Sequence, residues 1–151
     1  MNPPVLASPP APDEGATARR RALLFPVLAD WHVLDMLCVR EVVTEPLVTE
    51  LPTAPNVVLG VFNLRGEIVP MFDTAVLLGL GALRSSVFAV VVESAFGLAG
   101  LAASGVPEAV ELGDSAGSTE TRGTSASYAI GTRIATLLDL GVLLAPAHTG
   151  A

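Results

Sequence analysis

The sequence predicts an all-β protein with only short helices, on the strength of three observations. Hydrophobic residues make up 51% of the 151 residues and charged residues only 15%, so the chain can bury a sizeable core. Val and Leu dominate the apolar residues and aromatics are only 5%, which suits strands that pack on both faces. The apolar runs are short and are separated by many Gly and Pro residues. Such punctuation favours β-barrels or a β-sandwich over an α/β fold.

The first elements are predicted from alternation and turn residues. Residues 23–28 form a predicted strand, and Pro26 places it at a sheet edge or marks its end. Residues 31–36 are the returning strand of this hairpin. Residues 39–43 are predicted to form a single helical turn or a bend. Residues 57–59, preceded by a possible N-cap, are predicted to form another short helical turn.

The clearest local unit is a hairpin of residues 60–64 and 67–72, because only Arg65-Gly66 separates the two β-rich runs. Gly66 can supply the positive φ that a tight turn requires. A short helix is expected to follow over residues 73–80, with Asp73 as its N-cap and a glycine at its end.

The second half contains fewer strand-forming residues. Residues 113–127 are rich in Gly, Ser and Thr and are predicted to form a long loop. A closing helical turn is expected over residues 140–144. The predicted strands of this half are residues 87–92, 96–103, 109–112, 128–130 and 133–138.

Charge and composition argue against several classes of protein. The formal net charge is −7, from 15 acidic and 8 basic residues, whereas nucleic-acid binding requires a basic footprint. The apolar run of residues 87–103 contains Glu93 near its middle, and a charge there costs about 2.5–3.5 kcal/mol in a membrane. Arg19-Arg20-Arg21 follows a long Pro-rich stretch, which is unlike a signal peptide. We therefore expect a cytoplasmic protein that inserts into no membrane and binds no nucleic acid.

The sequence offers little catalytic or metal-binding chemistry. Cys38 is the single cysteine, lies among apolar residues and is expected to be a small buried hydrophobe. Ser115 stands in a Gly-x-Ser-x-Gly string, but no amphipathic helix follows it. The two histidines are His32, expected to be at the surface or half-buried, and His148 near the end of the chain. We therefore expect no enzyme activity, no metal and no cofactor.

One run of about twenty residues, residues 52–73, combines a Pro-x-x-Pro segment, a Val-x-Gly turn, an Asn-Leu-Arg-Gly turn and a strand that ends in Asp. The residues that form these motifs are Pro52, Pro55, Gly60, Asn63, Leu64, Arg65, Gly66, Pro70 and Asp73. In this order the motifs resemble the signature of the CheW family of chemotaxis adaptors. Weaker similarities extend over residues 22–144, among them Val39 and Glu41 after the first hairpin and Asp139 in a closing Leu-Leu-Asp-Leu motif.

The resemblance implies a CheW-like fold of two small SH3-like β-barrel subdomains that share a hydrophobic core. On this basis we expect a CheW-like domain over residues 21–146, after a disordered Pro-rich tail at 1–20 and before a frayed terminus at 147–151. The first barrel is expected to span roughly residues 34–85. The second is expected to combine roughly residues 22–33 and 86–146.

The resemblance also implies a non-enzymatic scaffold that docks to the signalling tips of chemoreceptors and contacts the regulatory domain of a CheA-type kinase or other CheW-like proteins. The receptor-docking candidates are Val39, Glu41, Arg65 and Gly66. We expect Glu41 and Arg65 to form an ion pair that orients the turn. Val39 is either a contact for a receptor helix or part of the core. Asp73 and Asp139 are expected to cap short helices.

The chain departs from the family pattern in its second half, where Ala103-Ser104 replaces a Val-Asp pair. With few strand-forming residues between positions 106 and 133, the second barrel is expected to be smaller, to lack a strand or to pack loosely. This predicts a divergent CheW, similar to accessory members of gliding-motility (Frz-type) systems, with weak or absent kinase coupling. Two alternatives remain, an ordinary CheW adaptor with full kinase contacts and a small β-barrel module for another partner. Strand content between residues 106 and 138 discriminates between the first alternative and the divergent protein.

Overall fold

A computed structural model describes residues 20–85 and 87–145 of the chain. Residues 1–19 of the expected Pro-rich tail and the terminus expected at 147–151 lie outside this part, as does His148, whereas Arg20 lies at the start of the first strand. No helix in the described part is long and apolar enough to cross a membrane.

Eleven strands in the described part form two sheets. Sheet I has the order β8-β1-β2-β11-β10-β9, and sheet II has the order β3-β6-β7-β5-β4. The strands of sheet I are β1 Arg20–Val27, β2 Asp30–Asp35, β8 Glu108–Leu112, β9 Gly117–Ser118, β10 Thr124–Ile130 and β11 Arg133–Leu138. Those of sheet II are β3 Val39–Thr44, β4 Val58–Leu64, β5 Glu67–Phe72, β6 Phe88–Ser94 and β7 Gly97–Ala103. The helical elements are a 3₁₀ turn Met36–Cys38, α1 Thr74–Leu78 and α2 Leu140–Leu143. The all-β prediction with short helices is therefore confirmed.

The two sheets share one core. Because alternate residues of a strand face opposite sides, a strand can contribute both to this core and to a smaller cluster of its own sheet. In β1, Leu23 and Phe25 join the shared core, whereas Leu24 faces a smaller cluster within sheet I. Val90 of β6 joins the shared core from sheet II, and its neighbour Val91 faces a separate cluster of that sheet. Each fully buried side chain of this size contributes about 1.5–3 kcal/mol of hydrophobic stabilisation. The shared hydrophobic core predicted from the family resemblance is present.

Two local predictions are confirmed in detail. Strands β4 and β5 form an antiparallel hairpin in which Leu64 pairs with Glu67 across Arg65-Gly66. Helix α1 begins after the N-cap Asp73 and ends at Gly79, whose φ of 73° is left-handed. Both elements are specified by short-range chemistry, a two-residue turn in one case and a cap with a terminal glycine in the other.

Other local predictions are wrong, because long-range pairing outweighs local preference. Residues 39–43 lie in strand β3 rather than in a helical turn, since β3 pairs with β6 from Val39–Val92 to Thr44–Phe88. Residues 58–59 belong to β4 and not to a short helical turn. The supposed loop of residues 113–127 contains β9 and the start of β10, which pairs with both β9 and β11. The expectation that the second half lacks a strand is therefore not supported.

The division between the two sheets also differs from the boundary expected near residue 85. Strands β6 and β7, which were assigned to the second barrel, belong to sheet II with β3, β4 and β5. The cause is the pairing of β6 with β3 and the parallel pairing of β7 with β5. Neither contact can be recognised from residues that are adjacent in the sequence.

Candidate docking surface

The turn between β4 and β5 presents Arg65 at the surface. Arg65 and Gly66 both have positive φ, 50° and 94°, as in the type I′ turn favoured by two-residue hairpins. The backbone N–H of Gly66 donates a hydrogen bond of 2.9 Å to the side-chain oxygen of Asn63. This explains the polar residues of the motif, because Asn63 ties the turn to the strand before it and Gly66 permits the conformation.

Glu41 of β3 forms the expected ion pair with Arg65, through Oε2 and Nη1. The side chain of Arg65 is 74% exposed and that of Glu41 is 25% exposed. An exposed pair of this kind contributes at most about 1 kcal/mol to stability. Its structural effect is to link an edge strand of sheet II to the hairpin that contains the opposite edge strand.

A second ionic group lies beside this pair. Arg40 Nε lies 2.6 Å from Glu93 Oε2, and Arg40 Nη1 lies 3.9 Å from Glu67 Oε1. A β-bulge between Val39 and Glu41 leaves Arg40 as an extra residue opposite β6. Bulges re-aim side chains locally. Here consecutive residues of β3 each form an ion pair that reaches the β4–β5 hairpin.

Exposed apolar side chains lie in the same segments as these charged residues, and the sequence did not predict that they would be exposed. Leu37 of the 3₁₀ turn is 94% exposed, and Ile68, next to Glu67, is 65% exposed. Val42, which follows Glu41, is partly exposed. Val39 is half-buried and packs against the shared core, so both interpretations of this residue have support. We define the docking surface as residues 37–42 together with residues 65–68.

The remaining motif residues have structural roles. A Cβ added to Gly60 would lie 2.2 Å from the carbonyl oxygen of Thr49. Pro52 lies in a turn closed by a 3.0 Å hydrogen bond from Ala54 N–H to Leu51 O, and a second turn begins at Pro55. Leu64 is buried in the cluster of sheet II, and Pro70 lies within β5 opposite Val61. These motif residues lie outside the docking surface, whereas the turn residues Arg65 and Gly66 belong to it.

Both predicted caps are present, but they differ greatly in environment. Asp73 is 2% exposed, and its carboxylate accepts N–H groups from Ala75 and Val76 of α1 and from Leu83 and Arg84 of the next loop. Asp139 is exposed and accepts a single N–H from Val142 at 3.3 Å. Asp73 therefore joins two segments, whereas Asp139 caps one helix.

The other chemically interesting residues do not assemble into an active site. Cys38 is only half-buried, and burial together with the Asp35 carboxylate raises the pKa of its thiol, which disfavours the reactive thiolate. Ser115 lies in an exposed loop, where its hydroxyl donates to the carbonyl of Gly117 at 3.5 Å. Within residues 20–85 and 87–145, no group of three or more His, Cys, Asp or Glu side chains could hold a metal.

His32 differs from the prediction, because it is buried rather than half-buried or at the surface. It is 4% exposed, and Nδ1 lies 3.0 Å from the hydroxyl of Thr136. Burial lowers the pKa of His32 below its ordinary value, and the Asp30 carboxylate opposes this shift only in part. His32 is buried because both faces of β2 are covered, so that His32, Val33 and Leu34 are all buried in succession.

We expect the free energy of unfolding to fall as the pH decreases below about 6.5, the ordinary pKa of histidine. In this range the unfolded chain binds more protons than the folded chain, since the pKa of His32 is lowered on folding. One such group changes stability by at most about 1.4 kcal/mol per pH unit. Urea unfolding between pH 5 and 7.5 measures this slope. It should become flatter in His32→Gln.

The fold and this surface are typical of a protein-interaction domain, with two packed β-sheets and exposed ionic and apolar side chains on one sheet. Residues 21–147 match the family model described as the CheW-like domain. The chain therefore belongs to the CheW family.

The comparisons with individual proteins agree with this membership. The chain is 34% identical over 73 residues to the chemotaxis protein CheW of Rhizobium meliloti, an alignment that covers 48% of this chain and 47% of that protein. It is 36% identical over 55 residues to the chemotaxis protein CheW of Helicobacter pylori, with 36% of this chain and 33% of that protein covered. The aligned regions thus span half or less of these curated relatives.

A solved structure matches over almost the whole chain. It is the scaffolding protein TtCheW from Thermoanaerobacter tengcongensis, with a TM-score of 0.74 and 22% sequence identity. The match covers 89% of this chain and 94% of TtCheW. At this identity the likeness shows a shared fold, so the CheW-like fold predicted from residues 52–73 is confirmed.

Proposed function

We propose that this chain is a non-enzymatic scaffold of a bacterial chemosensory array, cytoplasmic, and docked to the signalling tips of chemoreceptors. Membership of the CheW family supports this proposal. The curated relatives are named chemotaxis proteins, and the solved relative is named a scaffolding protein. The proposed role is to hold partner proteins together, so it requires neither a cofactor nor a reaction.

The observation that best supports receptor docking is the unequal burial of Glu41 and Arg65 in their ion pair. Glu41 is the more buried partner and can orient the guanidinium, while most of Arg65 stays accessible to a carboxylate of another protein. The exposed side chains of Val42 and Ile68 add apolar area next to the charges. An amphipathic receptor helix matches this combination, since it offers apolar residues at helical spacing and polar residues beside them.

We further propose that the chain retains contacts with a CheA-type kinase. The sequence-based doubt about these contacts rested on Ala103-Ser104 in place of a Val-Asp pair and on few strand-forming residues between positions 106 and 133. Strands β8 to β11 all lie between residues 106 and 138 and complete sheet I. This strand content favours an ordinary coupling adaptor over a protein that binds receptors alone.

A two-armed titration of the full chain tests both proposals. One arm uses a receptor signalling-tip fragment, and the other uses the regulatory domain of the cognate kinase. Binding in both arms is the expected result. Binding to the receptor alone would overturn the kinase proposal, and binding in neither arm would overturn the scaffold proposal and leave a module for another protein partner.

We expect Arg65→Asn to weaken receptor binding by about tenfold, which corresponds to about 1.4 kcal/mol. Asn tolerates the positive φ of this position, so the variant removes the guanidinium with little backbone strain. Isothermal titration calorimetry with the receptor fragment measures the effect. The matched control is Arg133→Asn, which breaks a similar exposed ion pair with Glu108 in sheet I.

The same two variants separate docking from stability. Loss of either exposed ion pair should change the free energy of unfolding by less than about 1 kcal/mol. Equal receptor affinities for Arg65→Asn and the unmodified chain would remove Arg65 from the docking surface. Equal weakening by Arg133→Asn would show that the effect is a general consequence of lost charge.

A further inference from the structure

A cavity of about 250 Å³ lies beside the β1–β2 turn, away from the residues of the docking surface. Its walls include residues of β2, β10 and β11 from sheet I. Leu78 at the end of α1 and Leu80 just after the cap contribute apolar side chains. Taking about 30 Å³ for a water molecule, the volume suits roughly eight non-hydrogen atoms. The lining residues that matter to the argument are Asp30, Trp31, His32, Leu80, Ile134 and Thr136.

The imidazole of His32 is the unusual group in this lining. Its residue is 4% exposed, and Nε2 is a buried side-chain nitrogen with no hydrogen-bond partner among the described residues. Buried polar atoms of proteins are normally paired, so an unpaired nitrogen indicates that something else can complete it. His32 lines the adjoining cavity, from whose open space Nε2 itself is shielded.

The hydrogen bonds around His32 determine whether the missing partner of Nε2 is a donor or an acceptor. The hydroxyl of Thr136 lies 3.4 Å from the carbonyl oxygen of Trp31, to which it can donate, and 3.0 Å from Nδ1 of His32. When the hydroxyl donates to the Trp31 carbonyl, Nδ1 carries the proton and donates to the hydroxyl oxygen, whereas the other tautomer reverses these roles. In the first arrangement the lone pair of Nε2 is free, so the missing partner is a hydrogen-bond donor.

The charged groups around the cavity restrict the kind of hydrogen-bond donor that fits there. Asp30 is the only charged side chain among the residues that line the cavity. Arg133 lies nearby, 4.0 Å above the Trp31 ring, but its guanidinium is paired with Glu108 at 3.2 Å. A carboxylate and an imidazole lone pair both accept hydrogen bonds, and the carboxylate repels anions. The site therefore suits a cationic donor.

We propose that this cavity binds a primary ammonium group on a short alkyl chain. The ammonium donates to Nε2 of His32 and is neutralised by Asp30, while the alkyl chain contacts Leu80 and Ile134. Because Nε2 is shielded from solvent, we expect a lining side chain to move on binding, and Leu80 is partly exposed. Binding at this site is independent of the proposed docking surface.

The test is an NMR titration of the full chain at pH 7.5 with n-butylammonium, using the ¹⁵N resonances of His32 as the readout. The amine is protonated at this pH, as a lysine side chain is. We expect a saturable shift of Nε2 with n-butylammonium and none with n-butyrate or n-butanol at the same concentration. Equal shifts with butyrate, or the absence of a saturable shift with the amine, would overturn the proposal.

Two pairs of variants locate the site. In His32→Gln, whose side chain can place a polar group near the position of Nε2, the amide signals of the cavity residues should keep their saturable shift. In His32→Asn, the affinity for n-butylammonium should fall by about tenfold. Asp30→Asn should weaken binding by about fivefold, whereas Glu50→Gln, which removes a carboxylate that does not line this cavity, should not. Unchanged affinity in both His32→Asn and Asp30→Asn would overturn the assignment, provided that their thermal midpoints show folded protein.

A third arm identifies the source of the ammonium group. Nα-acetyl-lysine amide represents a lysine side chain of another protein, since this chain contains no lysine. Tighter binding of this probe than of n-butylammonium assigns the site to a partner's lysine. The reverse order assigns it to a free small amine.

Discussion

Replacement of Gly60 by alanine is expected to lower the free energy of unfolding by about 3 kcal/mol. The new Cβ would lie 2.2 Å from the carbonyl oxygen of Thr49 and 2.8 Å from Cγ1 of Val48, and the first of these atoms belongs to the backbone. Gly60 also has a φ of 150°, which residues with a side chain rarely adopt. The chain therefore has to separate β4 from residue 49, breaking the paired hydrogen bonds of 2.7 and 2.9 Å between Thr49 and Val61.

Urea unfolding of the variant measures this loss, with Gly131→Ala as the matched control. Gly131 also has a positive φ, 64°, but a Cβ there would meet no atom within 4 Å. The control should therefore cost only the backbone term, about 1 kcal/mol. Equal losses in the two variants would show that strain at φ, and not the contact with Thr49, explains the glycine of the motif.

The second large effect is expected for Asp73→Asn, again about 3 kcal/mol. Both carboxylate oxygens of Asp73 accept backbone N–H groups, Oδ1 from Ala75, Val76 and Leu83, and Oδ2 from Leu83 and Arg84. An asparagine keeps one acceptor oxygen and replaces the other by an NH₂ group, which would face N–H donors. At 2% exposure, water cannot easily satisfy the groups left unpaired.

The matched control is Asp139→Asn, for which we expect a loss of less than about 1 kcal/mol. Asp139 is exposed and accepts only the N–H of Val142, and asparagine is itself a good N-cap. Denaturant midpoints give the global effect, and amide hydrogen exchange of Leu83 and Arg84 reports the loop that Asp73 holds. Unchanged exchange at these two amides would contradict the proposed link between α1 and the loop.

Short-range chemistry made part of the fold predictable. The Arg65-Gly66 turn and the cap at Asp73 depend on residues within a few positions of each other, and both were recognised correctly. The ion pair between Glu41 and Arg65 was reached in a different way, through the family resemblance, which includes Arg65 in residues 52–73 and Glu41 in the weaker similarity of residues 39–43. No spacing rule connects two residues 24 positions apart.

The candidate site was only partly predictable, because exposure depends on what the rest of the chain covers. Leu37 and Ile68 are apolar residues in apolar runs, where the ordinary expectation is burial, yet both are exposed. His32 shows the opposite error, since a polar residue expected at or near the surface is buried against Phe25 and Thr136. Sequence alone contains no signal that would have reversed either expectation.

The amino-acid sequence by itself determined the all-β class, the turn at Arg65-Gly66, the helix after Asp73 and, through its motif, the CheW family. The tertiary structure decided which strands share a sheet, that β3 and β9 are strands at all, how far β10 extends, and which side chains surround the Glu41–Arg65 pair. The physical reason is the range of the interactions. Turns and caps are stabilised within a few residues, whereas sheet pairing and burial arise between segments tens of residues apart, whose local preferences they override.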